Sequence, residues 1–236
     1  MSIKAVLFDL DGTLLPMNQD NFIKKYFGEI TTFLVTNGDY EPKTLMGTIL
    51  GGIEAMIKND GSCLNEKRFW DVFVQMFGEE AMKDKVHVDE FYRNEFQQVQ
   101  NVCGFDAEAK KIISFARECG KQVILATNPL FPPTATESRM RWVGLAPEDF
   151  DYYTVYDNST YCKPNLNYYL EILEKTGLKA EECLMVGNDV SEDMITETLG
   201  MKVLLLTDCL INKGNEDISK YPHGGFQELK EYLKNL

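Results

Sequence analysis

The sequence predicts an α/β protein: a doubly wound parallel sheet carrying a small all-helical domain. Three observations lead there. Short continuous apolar runs, of the kind that fill central parallel strands, alternate with helical patterns from residue 106 onward. A long helix-like stretch, about residues 18–101, separates the first such run from the others. Polar clusters stand at or just past the ends of several runs, where open α/β sheets bind ligands.

The first strand is Ala5–Phe8, a run that ends in Asp9 and Asp11, with Gly12 freeing the backbone for a turn. Pro16 breaks the pattern, and a texture rich in aromatics and methionine begins. Asn37-Gly38-Asp39 with Pro42 separates a first helix from a second, and Asn59-Asp60-Gly61-Ser62 closes the second. Asn65 reads as the N-cap of a third, in which Phe69, Phe73, Met76 and Phe77 recur at helical spacing up to Gly78. A fourth is expected over about Asp89–Asn101. These helices form a domain of their own, residues 18–101, inserted into a core made of 1–17 and 102–236.

The core then alternates. A helix with an acidic start and a stripe through Ile112, Ile113 and Ala116 ends at Gly120. A strand over Gln122–Ala126 runs into Thr127-Asn128-Pro129, and a helix around Thr136–Val143 follows. Tyr152–Tyr156 reads as a short strand, and Lys163-Pro164-Asn165 opens a helix to Thr176, with proline in its first turn. Strands over Cys183–Val186 and Lys202–Leu206 flank a helix over Ser191–Leu199, and a last helix begins at Phe226.

Bulk properties narrow the function classes. At 236 residues the chain suits a core domain plus a smaller one, and 44% hydrophobic with 26% charged residues is an ordinary globular composition. A formal net charge of -13 opposes sequence-independent binding to nucleic acid or an acidic membrane, while leaving room for a small phosphate ester in a local pocket. No basic leader with an apolar segment and no long apolar span is present, so a cytoplasmic protein is expected. Six cysteines, none in a C-x-x-C pair, then read as reduced thiols. His87 and His223 stand far apart in no ligand-spaced motif, which gives a zinc site little support.

The chemistry collects at the strand ends. Two acids as close as Asp9 and Asp11 repel unless a cation sits between them, and carboxylates and carbonyls are the ligands hard Mg²⁺ prefers. Thr127 and Asn128 offer a hydroxyl and backbone N–H groups to a phosphate oxygen. Lys163 at a helix start suits an anion, and Asn188, Asp189 and Asp193 follow CLMVG. Each cluster alone has a bland reading as a loop pair, a helix opener or a solvated face; their joint occurrence in order does not.

The ordered set FDLDGTL at Phe8–Leu14, ATN at Ala126–Asn128, KPN at Lys163–Asn165 and VGNDVSED at Val186–Asp193 resembles the haloacid dehalogenase (HAD) superfamily. The resemblance covers essentially the whole core, including WVGL at Trp142–Leu145, and the helical insertion looks like the cap of phosphoglycolate-phosphatase-like members. It implies a Rossmann-like core and a Mg²⁺-dependent phosphatase acting on a small phosphorylated metabolite. Asp9 is then the nucleophile that forms an aspartyl-phosphate, and Asp11 the general acid and base. Mg²⁺ is held by Asp9, the Asp11 carbonyl and Asp189; Thr127, Asn128 and Lys163 hold the transferring oxygens; Asp193 orients Lys163 or a metal-bound water.

One departure stands out. The family carries an acid directly after the glycine of the last motif, and here Asn188 takes that place with Asp189 next. A charged oxygen binds Mg²⁺ better than an amide, which favours Asp189 and leaves Asn188 in a supporting role. Dehalogenation is disfavoured because it needs no acid at position 11; a phosphomutase and a catalytically silent binding protein are the alternatives. Of the helical domain, Lys24, Lys25 and Lys43 read as a solvated face, and Phe22, Tyr26, Phe69 and Trp70 as that domain's own core.

Overall fold

The central sheet is built on β1 (Ala5–Phe8), whose four residues are all buried. In the computed structural model, which describes residues 2–38 and 40–236, β1 pairs in parallel with β2 (Gln122–Leu125) on one side and β4 (Cys183–Gly187) on the other. The sheet is extended outward by β3 (Tyr152–Tyr153) beyond β2, and by β5 (Lys202–Leu206) and β6 (His223–Gly224) beyond β4. The order is β3-β2-β1-β4-β5-β6, parallel throughout. The chain thus reverses direction across the sheet beside β1, which opens a crevice at the C-terminal ends of β1, β2 and β4.

Continuous apolar strands need cover on both faces, and they have it. Val6 and Phe8 of β1 pack on one side with α5 (Ala107–Glu118), α6 (Pro133–Trp142) and α8 (Phe226–Lys234). Ala5 and Leu7 point the other way, toward Tyr168, Tyr169 and Ile172 of α7 (Leu166–Thr176). Asp106 caps α5 by accepting the Glu108 N–H at 2.8 Å, and Asn165 caps α7 by accepting that of Asn167 at 3.0 Å.

Between β1 and α5 lie α1 (Gln19–Asn37), α2 (Pro42–Ile57), α3 (Asn65–Phe77) and α4 (Lys85–Arg93). Their buried faces, through Phe22, Tyr26, Leu45, Phe73 and Phe91, continue the apolar cluster of one sheet face. Where the chain enters and leaves this segment it pairs with itself: Met17 bridges Cys103, and the Gly104 N–H donates to the Pro16 carbonyl at 2.6 Å.

Several boundaries differ from expectation. Asn65 is the first helical residue of α3, not its cap; its buried amide instead donates to the carbonyls of Pro129 at 3.3 Å and Tyr161 at 3.2 Å. The fourth helix stops at Arg93, and a 3₁₀ segment, Glu95–Val102, follows; the break lets the Gln97 amide donate to the Tyr92 carbonyl at 3.1 Å. Only Tyr152 and Tyr153 of the expected third strand join the sheet. Pro164 stands before the cap of α7 and not within its first turn. The helix expected over Ser191–Leu199 is a 3₁₀ segment, Met194–Leu199. The Asp39 part of the expected turn lies outside the described residues.

Candidate active site

The loop after β1 is folded tightly by backbone bonds: the Leu14 and Leu15 N–H groups both donate to the Leu10 carbonyl, at 3.0 and 2.8 Å. Gly12 has a φ of +86°, and a Cβ there would stand 2.3 Å from Asn188 Nδ2. The turn and the close approach both demand glycine. The Asn188 amide is fixed at each end. Its Nδ2 donates to the Cys209 carbonyl at 2.7 Å, and its Oδ1 lies 3.0 Å from the Thr13 hydroxyl. That hydroxyl is also 3.1 Å from Asp9 Oδ2. One hydroxyl proton serves only one acceptor at a time, so this corner holds more acceptor oxygens than donors.

Lys163 sits beneath Asp9 and is almost wholly buried. Its Nζ donates to Asp9 Oδ1 at 2.8 Å and to Asp193 Oδ1 at 2.7 Å. Burial works against the ammonium charge, but the facing Asp193 and Asp9 carboxylates outweigh it and hold the lysine pKa well above its usual value. Burial raises the Asp193 pKa, with Lys163 opposing. The second Asp193 oxygen accepts the Asp189 N–H at 3.0 Å. Gly187 makes this possible, since a Cβ on it would lie 2.1 Å from Asp193 Oδ2. Asp193, expected to orient Lys163 or a metal-bound water, is in direct contact with Lys163. Lys163 itself, expected at the transferring oxygens, does not line the cavity.

Asp11 stands beside this group and is held by a residue the sequence did not reveal. Arg139, fully buried on α6, forms an ion pair with Asp11 Oδ2 and rests its guanidinium 4.4 Å from the centroid of the Phe131 ring. Burial raises the Asp11 pKa, the Arg139 charge pulls it down, and the net shift is upward. The other oxygen, Oδ1, is buried without a hydrogen-bond partner. An arginine amid TESRMRW carries no motif, so only the fold exposes its role.

The crevice itself is a cavity of about 360 Å³. Asp9, Asp11, Thr127 and Asn128 reach it from the ends of β1 and β2, and Asn188, Asp189 and Asp193 from the end of β4. Thr127 is fixed through its carbonyl, which accepts from Thr154 Oγ1 at 2.6 Å and the Tyr168 hydroxyl at 2.8 Å. Asn128 has a buried Oδ1 with no partner, and its Nδ2 lies 3.4 Å from Glu192 Oε2. Asp189 closes its own loop: Oδ1 accepts the N–H groups of Ser191 at 2.7 Å and Glu192 at 3.0 Å. Thr13 and Glu192, both inside the motifs, also belong to this constellation.

The helical segment supplies the opposite wall. Phe22, Tyr26, Phe69 and Trp70, expected to serve only as the core of their own domain, all line the cavity. Lys24, Lys25 and Lys43 do not; Lys25 pairs with Glu29 at 2.5 Å, and the other two are exposed.

Residues 3–196 match the family of haloacid dehalogenase-like hydrolases. The chain belongs to that family. Among solved structures it is similar to a HAD phosphatase from Thermococcus onnurineus, at 18% identity and a TM-score of 0.59, with 98% of each chain covered. A predicted phosphoglycolate phosphatase from Haemophilus somnus gives 17% identity and a TM-score of 0.57, again over 98% of both chains. The HAD-hydrolase YfnB from Bacillus subtilis, described as bound to magnesium, gives 16% and 0.55 over 99% of both. No curated protein matches the chain significantly. At these identities the likeness establishes the fold, and the family match establishes a hydrolase.

A metal site here has to be judged from its donors. Among the described residues no three His, Cys, Asp or Glu side chains gather to hold an ion, so the carboxylates of Asp9, Asp11 and Asp189 are not such a group. The oxygen surplus at Asp9 and Asn188 fits a hard divalent cation, as does a purely oxygen donor set. The Asp11 carboxylate is committed to Arg139, which leaves its main-chain carbonyl for that purpose.

Proposed function

We propose that this hydrolase is a Mg²⁺-dependent phosphatase that cleaves a small phosphate monoester through an aspartyl-phosphate on Asp9. The observation that carries the reading is the Asp9 carboxylate on the cavity floor, held between Lys163 and Thr13 with Asp11 beside it. Mg²⁺ would be held by Asp9, the Asp11 carbonyl oxygen and Asn188 Oδ1. Asn188 is preferred over Asp189 because its oxygen shares the Thr13 hydroxyl with Asp9, whereas Asp189 Oδ1 already accepts two amide protons. When bound, the ion neutralises charge between nucleophile and phosphate.

An Asp9 oxygen attacks phosphorus, and the bond to the leaving oxygen breaks as Asp11 gives that oxygen its proton. The upward shift of the Asp11 pKa favours proton uptake on Oδ1, the oxygen that Arg139 leaves free. Water then attacks the phosphorus of the aspartyl-phosphate, returning its proton to Asp11 and freeing Asp9 and inorganic phosphate. Thr127 and the Asn128 main chain contact the transferring oxygens. Lys163 fixes Asp9 and offsets the Asp9 and Asp193 charges. Residues 18–101 act as the cap that closes the cavity against water.

The test is Asp9→Asn with p-nitrophenyl phosphate and Mg²⁺. Hydrolysis is abolished while the far-ultraviolet circular dichroism is unchanged. Wild-type rates in that variant would contradict the covalent route, and no phosphate release by wild type from a broad ester panel would contradict the phosphatase.

A further inference from the structure

We infer that the ester hydrolysed here has an uncharged, apolar leaving group, an alkyl or aryl alcohol, with no anionic group besides its phosphate. The inference rests on the phosphatase reading and extends it to the other half of the substrate.

The cavity is sharply two-sided. Its floor is acidic and polar, and its wall is aromatic: Phe22, Tyr26, Trp70 and Tyr92 from the helices, Phe131 and Tyr156 from the core. The Tyr26 and Tyr92 hydroxyls bond each other at 2.7 Å, and burial raises both pKa values, so neither carries charge. Among the described residues no lysine, arginine or histidine lines the cavity, whereas five acids do. The two nearby cations are committed: Lys163 to Asp9 and Asp193, Arg139 to Asp11. A carboxylate or second phosphate on the substrate would therefore be desolvated against rings with nothing to pair it. A polyol would find few partners there: beyond the Trp70 Nε1–H, which has no hydrogen-bond partner, and the tyrosine hydroxyls, the wall is hydrocarbon, and most of its hydroxyls would be desolvated unbonded.

The mouth gives independent support. Ile23, Leu50 and Ile57 are 41%, 48% and 45% exposed, yet they stand together on the cavity rim. Scattered exposed aliphatics need no explanation, but three around one opening form an apolar lip. A leaving group that runs from the floor past this lip buries apolar surface along its whole length. Hydrolysis gives the neutral alcohol and inorganic phosphate, with water as the only co-reactant.

Matched esters test this. Hexyl phosphate and 6-phosphooxyhexanoate have nearly the same leaving oxygen and differ in a terminal carboxylate; glycerol phosphate adds the polyol. The expected kcat/KM for hexyl phosphate exceeds both others by about 100-fold. Leu50→Arg, at an exposed position on α2, places a cation on the lip and narrows the gap to the carboxylate ester by about tenfold. Equal or reversed preference in wild type, with hydrolysis still abolished in Asp9→Asn, overturns the apolar assignment and leaves the phosphatase standing. If no ester is hydrolysed, binding decides: 2-phenylethylphosphonate should quench Trp70 fluorescence where phosphonoacetate does not. That result leaves an apolar ligand in the cavity but overturns the phosphatase and its leaving group with it, and no quenching by either overturns the apolar ligand as well.

Discussion

In Arg139 and Asp11 one ion pair bears on stability and on the proposed proton transfer together. The guanidinium lies on the Phe131 ring and meets one Asp11 oxygen, leaving the other without a partner at the cavity. Arg139→Met keeps the apolar contact and strands the carboxylate, which should cost about 3–5 kcal/mol in urea denaturation. Turnover should fall about 100-fold, with the substrate half-saturation little changed, because the loss falls on proton transfer. Arg139→Lys restores part of both. Unchanged turnover in Arg139→Met would show that Asp11 needs no positioning. The proposed Mg²⁺ ligands are also told apart at single residues. Asn188→Ala should weaken the Mg²⁺ dependence of activity more than Asp189→Asn, and the opposite order would return the third ligand to Asp189. The acid pair after β1 was legible because carboxylates directly after a buried apolar run stand out from its pattern. Arg139 was not, because a charge buried inside a helix leaves no trace in hydrophobic spacing.

At the scale of elements, the strands were the readable part. Ala5–Phe8 and Lys202–Leu206 stand as expected, since continuous apolar runs flanked by turn residues admit few other fates. β6 was invisible because His223 and Gly224 join the sheet through their backbone and carry no apolar pattern. Helix starts shifted where a polar side chain found a tertiary partner. Asn65 has the residue type of a cap, yet its Oδ1 accepts from Asn59 at 2.8 Å while its Nδ2 donates to core loops. It thereby ties α3 to the segments after β2 and before α7. Asn65→Leu should destabilise the protein by about 1–3 kcal/mol, because buried carbonyls lose their donor. Urea unfolding checks this, and a change near zero would mean that water takes over those bonds.

The whole molecule joins a legible core to a less legible cavity. Met17 bridges Cys103 close to the division expected at residues 17/18 and 101/102. Aromatics read from spacing as the interior of the helical domain prove to face both ways, because the cavity lies against that interior. Burial of the core has a chemical consequence. Cys162 and Cys183 are free, and burial pushes both thiols up to about 12. A raised thiol pKa keeps the unreactive protonated form, so iodoacetamide at pH 8 should leave both unmodified until urea unfolds the chain. Mass spectrometry of the peptides reads this directly, and rapid labelling in the native state would show that the core opens readily.

The account turns on Asp9 as the covalent nucleophile. Wild-type protein turning over a phosphate ester, quenched in acid and reduced with borohydride, should yield homoserine at position 9 and at no other acid. Hydrolysis that proceeds with Asp9 unmodified, or with the reduction at another aspartate, would contradict it.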